Sequence, residues 1–367
     1  MAAAALLSVT AASSAHAETT LIVGPAGGGV PGLQYPPTSE IGRGWSGPGT
    51  AVGYEQFFGL APIAPGSVSV NTGVADGVRH LNAAINNAEA AGGGPVTVVA
   101  LSEGTLVVDA EQSYLANDPD APPADSLTFI EFSNPQRGLA QTYLPVGSYV
   151  PFIDYTVRAT PDSQYNTIVV EGQYDLFGNP PDRPWNILAD LNALAGGIYV
   201  HSQVSLSSMS QAVEISRTTD SKGGTTTTYL VPTQELPLLQ LLTQIGVPAW
   251  ITTPLNKILK PIVDAGYSSL TPNDGPYFKN GRLVWGSNAT PALPTIRWPS
   301  RVSAPATRPT VRTPQKVNVA FTRLAGTVKP VIPKPLTAAH AAAAVRRDSL
   351  ERGRPTAGSG RNRQSFC

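Results

Sequence analysis

Cysteine is almost missing from this chain: among 367 residues there is one, Cys367, at the last position. No disulfide can close within the chain, and no cysteine metal set can be assembled. Histidine is scarce as well. The four, His16, His80, His201 and His340, are scattered without ligand spacing, so no metal and no cofactor is expected. No stretch approaches the roughly 18 apolar residues of a membrane span, so no transmembrane span is expected. Net charge is zero, which argues against nucleic acid as the main partner.

Apolar residues make up 41% of the chain, enough for a sizeable core. The zero charge hides an asymmetry. Residues 301–367 hold 13 Lys/Arg and 2 acidic residues, whereas residues 1–300 hold 12 basic and 23 acidic ones. An acidic body carries a basic tail. The first residues form a small apolar run ending in Ala15-His16-Ala17, an A-x-A cleavage pattern without a basic n-region. The expectation is a signal peptide over 1–17, a catalytic domain over 18–290 and a Pro/Ala/Arg-rich disordered tail over 291–367. Such a protein is secreted or held in the cell envelope.

Thr19–Val23 is β-prone and opens into Gly24-Pro25-Ala26-Gly27-Gly28-Gly29. Residues 30–70 read as surface connections with a strand near Ser67–Val70. Val78, Leu81, Ile85 and Ala88 then recur at helical spacing, and Gly92-Gly93-Gly94-Pro95 stops that helix. Val96–Leu101 is an uncharged strand, and Thr105–Leu115 is helical again. Ser126–Phe132 and Asn166–Val170 are further strands. Val213–Arg217 and Thr225–Val231 flank a hairpin turn. Leu236–Ile262 reads as short helices interrupted by Pro237, Pro248, Pro254 and Pro261. Val317–Leu324 is a weak further strand. Alternating strands and helices predict an α/β fold, a mainly parallel central sheet flanked by helices. In such sheets ligands collect at the strands' carboxyl ends.

Ala100-Leu101-Ser102-Glu103-Gly104 approximates the nucleophile elbow G-x-S-x-G, with strand before and helix after. A serine after a core strand also serves simply as a helix N-cap. A serine nucleophile needs a base. His16 lies in the leader, His80 nearer the start of the strand than its end, and His340 in the tail, which leaves His201. The acid of such enzymes falls between Ser and His. Asp175, just past the Ile168–Val170 run, fits that place; Asp182 and Asp190 are rivals, Asp182 being a natural partner for Arg183. The oxyanion hole would take the backbone N–H of Glu103 and a second from the glycine loop, at Ala26 or Gly27.

Three stretches resemble one known family. Tyr174-Asp175, the run Pro184-Trp185-Asn186-Ile187-Leu188-Ala189-Asp190-Leu191-Asn192-Ala193-Leu194-Ala195-Gly196 and Val200-His201 form the first. Ser133-Asn134-Pro135-Gln136-Arg137-Gly138 is the second and Tyr229–Leu239 the third. They look like the PE-PPE C-terminal domain family, cutinase-like α/β-hydrolases of mycobacteria and their relatives. The resemblance implies Ser102, Asp175 and His201 as a triad, and an esterase, lipase or acyltransferase working on acyl esters or envelope glycolipids. Ala100 replaces the family's first elbow glycine, and the glycine loop departs from its Gly-Gly-Thr-Gly. A different class of function is non-catalytic envelope binding through the basic tail.

Overall fold

A computed structural model describes residues 18–27, 34–57, 66–92, 94–272 and 275–285. The expected leader, the tail and the strand at 317–324 lie outside the described residues. Seven strands form the central sheet. They are β1 (Thr19–Val23), β2 (Thr50–Val52), β3 (Val96–Leu101), β4 (Leu127–Phe132), β5 (Asn166–Gly172), β6 (Val213–Thr219) and β7 (Thr225–Val231). Their spatial order is β2-β1-β3-β4-β5-β7-β6. Every pairing is parallel except that of β6 with β7.

Alternation along the strands builds two cores. Leu21, Val23, Val96, Val98, Ala100 and Phe129 face one side, where they meet Val74, Leu81, Ile85, Val107 and Val108. Those residues belong to helices α1 (Val70–Ala90) and α2 (Glu103–Leu115). Ile22, Val99, Leu101, Ile130, Phe132 and Val170 face the other side, against Ile41, Trp45 and Val204. Burial on both faces is why these strands read as continuous apolar runs. A third cluster joins Tyr174 and Ala189 to Leu236, Leu239, Val263 and Tyr267. It holds α3 (Ile187–Tyr199) to α4 (Pro237–Gln244) and α5 (Ala249–Asp264).

Two local expectations are corrected. Ser67–Val70 is no strand, because the Ser69 side chain accepts from the Thr72 N–H at 3.1 Å and starts α1 at Val70. Capping at that point outcompetes the β-branched residues around it. Pro254 and Pro261 do not end their helix, since both sit inside α5. The residues four positions earlier, Trp250 and Lys257, are exposed, so water can serve the carbonyls the prolines leave without a donor.

The chain order reverses between β1 and β3, since β2 lies on one side of β1 and β3 on the other. That is the switch point at which open α/β sheets place their ligands. The carboxyl ends of these two strands are Val23 and Leu101, and Ser102 follows the second.

Candidate active site

Ser102 occupies a backbone conformation that few residues adopt, with φ 55° and ψ −120°. It is one of five non-glycine residues with positive φ among those described, and Ser133 and Tyr174 are two of the others. Strain of this kind persists only where surrounding structure imposes it. Here the Ser102 N–H continues the sheet by donating to the Phe132 carbonyl at 3.1 Å, while α2 leaves in a new direction at Glu103. Gly104 makes the turn possible. A Cβ at that position would run into the carbonyl oxygens of Val23 and Gly24 at the end of β1. Ala100, in contrast, is fully buried inside β3 without obstructing the turn.

The N-cap alternative for Ser102 is not what the side chain does. Its hydroxyl makes no capping bond to α2. Instead Oγ lies 2.9 Å from Nε2 of His201. Nδ1 of the same ring lies 3.1 and 3.0 Å from the two carboxylate oxygens of Asp175. The network fixes the tautomer: Nδ1 carries the proton toward Asp175, and Nε2 accepts from Ser102. Asp175 is 0% exposed, His201 1% and Ser102 8%, so only the serine end of this line meets solvent.

Close packing holds the histidine against the acid. α3 runs to Tyr199, and Val200 and His201 turn off its end. Gly196 therefore belongs to the last turn of α3. A Cβ there would overlap the Tyr174 carbonyl oxygen, so the glycine lets the helix touch the backbone beside Asp175. The Phe177 ring lies on the His201 ring, with centroids 4.5 Å apart. The Ser133 hydroxyl donates to the His201 carbonyl at 2.9 Å.

The electrostatics separate the two acids near the serine. Burial opposes charge on Asp175. His201 beside it and the Phe177 N–H more than offset this, and the carboxyl is held below its ordinary value. The N–H of Gly178 donates to it as well, at 3.0 Å. Glu103 is 4% exposed, and burial pushes it up to about 8 although the Phe57 N–H donates to it. Its side chain thus holds Phe57 against the elbow, while its own N–H is at the first position of α2 and has no intrahelical acceptor. Gly27 is placed differently from expectation: its N–H already donates to the Phe57 carbonyl at 3.1 Å.

The other candidates fall elsewhere. His80 is exposed on α1, with Nδ1 3.2 Å from Asp76. Asp182 accepts from the Ser268 N–H at 2.8 Å, and Arg183 turns to the carbonyls of Ala265, Thr271 and Pro276, so the expected Asp182–Arg183 pair is replaced. Asp190 lies in the first turn of α3. Sequence reading assigned no role to Phe177, Ser133 or Arg137, although the last two belong to a quoted motif. Arg137 reaches Asp109 at 2.6 Å and Glu131 at 2.9 Å under the loop that carries Ser133. A cavity of about 400 Å³ is lined by Glu171, Gly178, Asn179 and Tyr267. Ser102 and His201 do not line it, so it is not the space in which an acyl group would meet the serine. Among the described residues no cluster of His, Cys, Asp or Glu could hold a metal ion.

The sequence profile of the PE-PPE domain matches residues 33–268, which include Ser102, Asp175 and His201. The chain belongs to the PE-PPE domain family. Similar proteins of Mycobacterium tuberculosis agree. The PPE family protein PPE63 is 49% identical over 283 residues, covering 76% of this chain and 58% of PPE63. The SL1278 acyltransferase Chp1 is 44% identical over 231 residues, covering 62% of this chain and 55% of Chp1. The esterase PE16 is 34% identical over 233 residues, covering 62% of this chain and 43% of PE16. The PE-PPE chain described here therefore spans about half the length of these relatives.

Proposed function

We propose that this PE-PPE domain is a serine enzyme acting on acyl esters of lipids, as a hydrolase or as an acyltransferase. The observation that carries the reading is the continuous hydrogen-bonded line from Ser102 through His201 to Asp175, set on a strained strand-to-helix turn. The names of two relatives, an acyltransferase and an esterase, support the same chemistry.

Ser102 Oγ attacks the ester carbonyl while Nε2 of His201 takes its proton. Asp175 keeps the ring in the required tautomer and stabilises the imidazolium. The tetrahedral intermediate collapses as His201 returns the proton to the departing alcohol, leaving Ser102 acylated. Water or a second alcohol, deprotonated by the same histidine, then releases the acyl group. In this reading the Glu103 N–H, at the positive end of α2, stabilises the oxyanion. The basic tail and the leader pattern support a place in the cell envelope or outside the cell, which cell fractionation would check.

The test is covalent. A fluorophosphonate probe read by intact mass is expected to add once to the full chain and not to Ser102→Ala. Turnover of p-nitrophenyl butyrate is expected to drop in the variant by a factor on the order of 10⁶. A variant that keeps the parent's turnover would end the reading. Adding a lipid alcohol and measuring acyl transfer against release to water separates transferase from hydrolase.

A further inference from the structure

A helix packed on a soluble protein ordinarily turns its large apolar side chains inward. α3 does the opposite. Ile187, Leu191, Leu194 and Ile198 recur at i, i+4, i+7 and i+11, so they share one face. That face is outward, and these side chains are between 38% and 69% exposed. The inward stripe is small: Ala189, Ala193 and Gly196 are buried. The cause lies beside the acid of the site. α3 lies too close to the Tyr174 backbone for a Cβ at position 196, and small residues permit that approach. This seating accounts for the small residues and gives the large ones no work to do.

The neighbouring helices extend this surface. At the end of α3 the Tyr199 hydroxyl donates to Gln244 of α4 at 2.7 Å, beside the exposed Ile245. At its start the Asn186 amide donates to the carbonyl of the exposed Ile262 on α5, also at 2.7 Å. Ile258, one turn earlier on α5, and Trp250 are exposed as well. An apolar face of this kind marks contact with protein or with lipid. Charge chooses between them. From Leu236 to Val263 the only charged side chains are Lys257 and Lys260, and on α3 the one charge is Asp190. Lys260 reaches Asp264 at 3.4 Å, while Lys257 stands exposed. Trp185 and Trp250, both exposed, carry rings suited to the boundary between hydrocarbon and head groups. The same chain also holds 13 Lys/Arg against 2 acidic residues over 301–367. An apolar face together with a basic segment supplies the two attractions that stable docking on anionic lipid requires.

We infer that the outward face of α3, continued by Ile245 and by Trp250, Ile258 and Ile262 of α5, docks on an anionic lipid surface. The apolar side chains enter the acyl boundary, and Lys257 meets the head groups. Among the described residues no helix is long and apolar enough to cross a membrane, so these helices lie along the surface. The inference stands apart from the serine chemistry, since docking brings the domain to lipid whether or not Ser102 reacts.

The experiment measures co-sedimentation of the full chain with vesicles of diether phosphatidylglycerol or diether phosphatidylcholine, lipids that carry no ester to cleave. The parent is compared with the double variant Leu191→Gln, Leu194→Gln and, on another helix, with Ile258→Gln. The double variant is expected to bind phosphatidylglycerol vesicles at least about tenfold more weakly, and Ile258→Gln several-fold more weakly, because each loses an apolar side chain that the lipid would bury. Melting temperatures are expected to stay near the parent's, since the replaced side chains are exposed and glutamine suits a helix. If the double variant does not fold, Ile258→Gln decides. The parent should prefer phosphatidylglycerol, and salt should narrow that margin; equal binding to the two lipids overturns the anionic assignment. A parent that sediments with neither vesicle overturns the inference, and so does vesicle binding that the variants keep in full. A face that joins two copies would show as a dimer in sedimentation velocity that the variants dissociate, without vesicle binding. A face covered by another segment of the chain would show as variants that melt lower, again without vesicle binding. Either result overturns docking on lipid. Fluorophosphonate labelling of the same samples reads the serine chemistry separately, so neither failure is mistaken for the other.

Discussion

Two buried carboxylates flank Ser102, and their titration is shifted in opposite directions. Asp175, past the end of β5, receives Nδ1–H of His201 and the N–H groups of Phe177 and Gly178. Glu103, on the elbow, receives the single N–H of Phe57, at 2.9 and 2.8 Å from its two oxygens. Burial acts on both in the same direction. The difference lies in how many donors the folded backbone and side chains bring to each. One acid is held as an anion beside the imidazole, and the other is held neutral near the site where negative charge would develop. A charged Glu103 would oppose an oxyanion held by its own N–H, so its raised value suits the same chemistry that the lowered one of Asp175 serves.

The comparison can be broken most severely on the Asp175 side. Asp175→Asn keeps the shape but can present an amide N–H to Nδ1, which favours the wrong tautomer. Steady-state kinetics are expected to show kcat lower by about 10⁴-fold, the scale of the equivalent change in serine proteases. A loss under tenfold would mean that the acid is not orienting the base. A smaller effect comes from Gly196, which seats α3 on the Tyr174 carbonyl beside this acid. Gly196→Ala is expected to cost about 1–3 kcal/mol in urea denaturation and to lower kcat with it. Unchanged unfolding would show that the helix need not lie so close.

The smallest effect is on the elbow side and sharpens the contrast in pH. Glu103 binds its proton more tightly folded, up to about 8, than an ordinary carboxyl at 4.5. Its contribution to stability is complete below about 4.5 and is lost as pH rises through 8. Asp175 has the reverse sign: its contribution is present above the ordinary carboxyl range and is lost on acidification through its lowered value. Glu103→Gln, permanently neutral, should therefore lose less melting temperature between pH 5 and pH 8 than the parent does. The flattening is partial because Glu111, Glu131 and Glu171, each raised to about 7 by burial, keep their share. Parallel curves for variant and parent would contradict a neutral Glu103.

Strands β1, β3, β4 and β5 and helix α1 were legible because their periodicities are local. The β6–β7 hairpin was legible from its Asp220–Gly224 turn. The turn at Ser102 was legible from one retained glycine between an uncharged strand and a helix. Residues 34–57 were not: their structure comes from long-range bonds such as Gly42 N–H to the Ser205 carbonyl at 2.8 Å. For the same reason Phe177 looked like any loop aromatic. The engagement of Gly27 by Phe57 could not be read either, since it depends on where Glu103 draws that loop.

By itself the order of residues determined the α/β class, all the strands of the sheet except β2 and the identity of the three side chains most suited to serine chemistry. The tertiary structure alone decided that Ser102 and His201, 99 residues apart, meet at 2.9 Å, and that His201 and Asp175, 26 apart, meet at 3.0 Å. It also decided which buried carboxyl keeps a charge. Periodicity records which face of an element turns inward. Reach between distant side chains, and the donors each acid finds, depend on how those faces pack, and packing is a property of the whole fold.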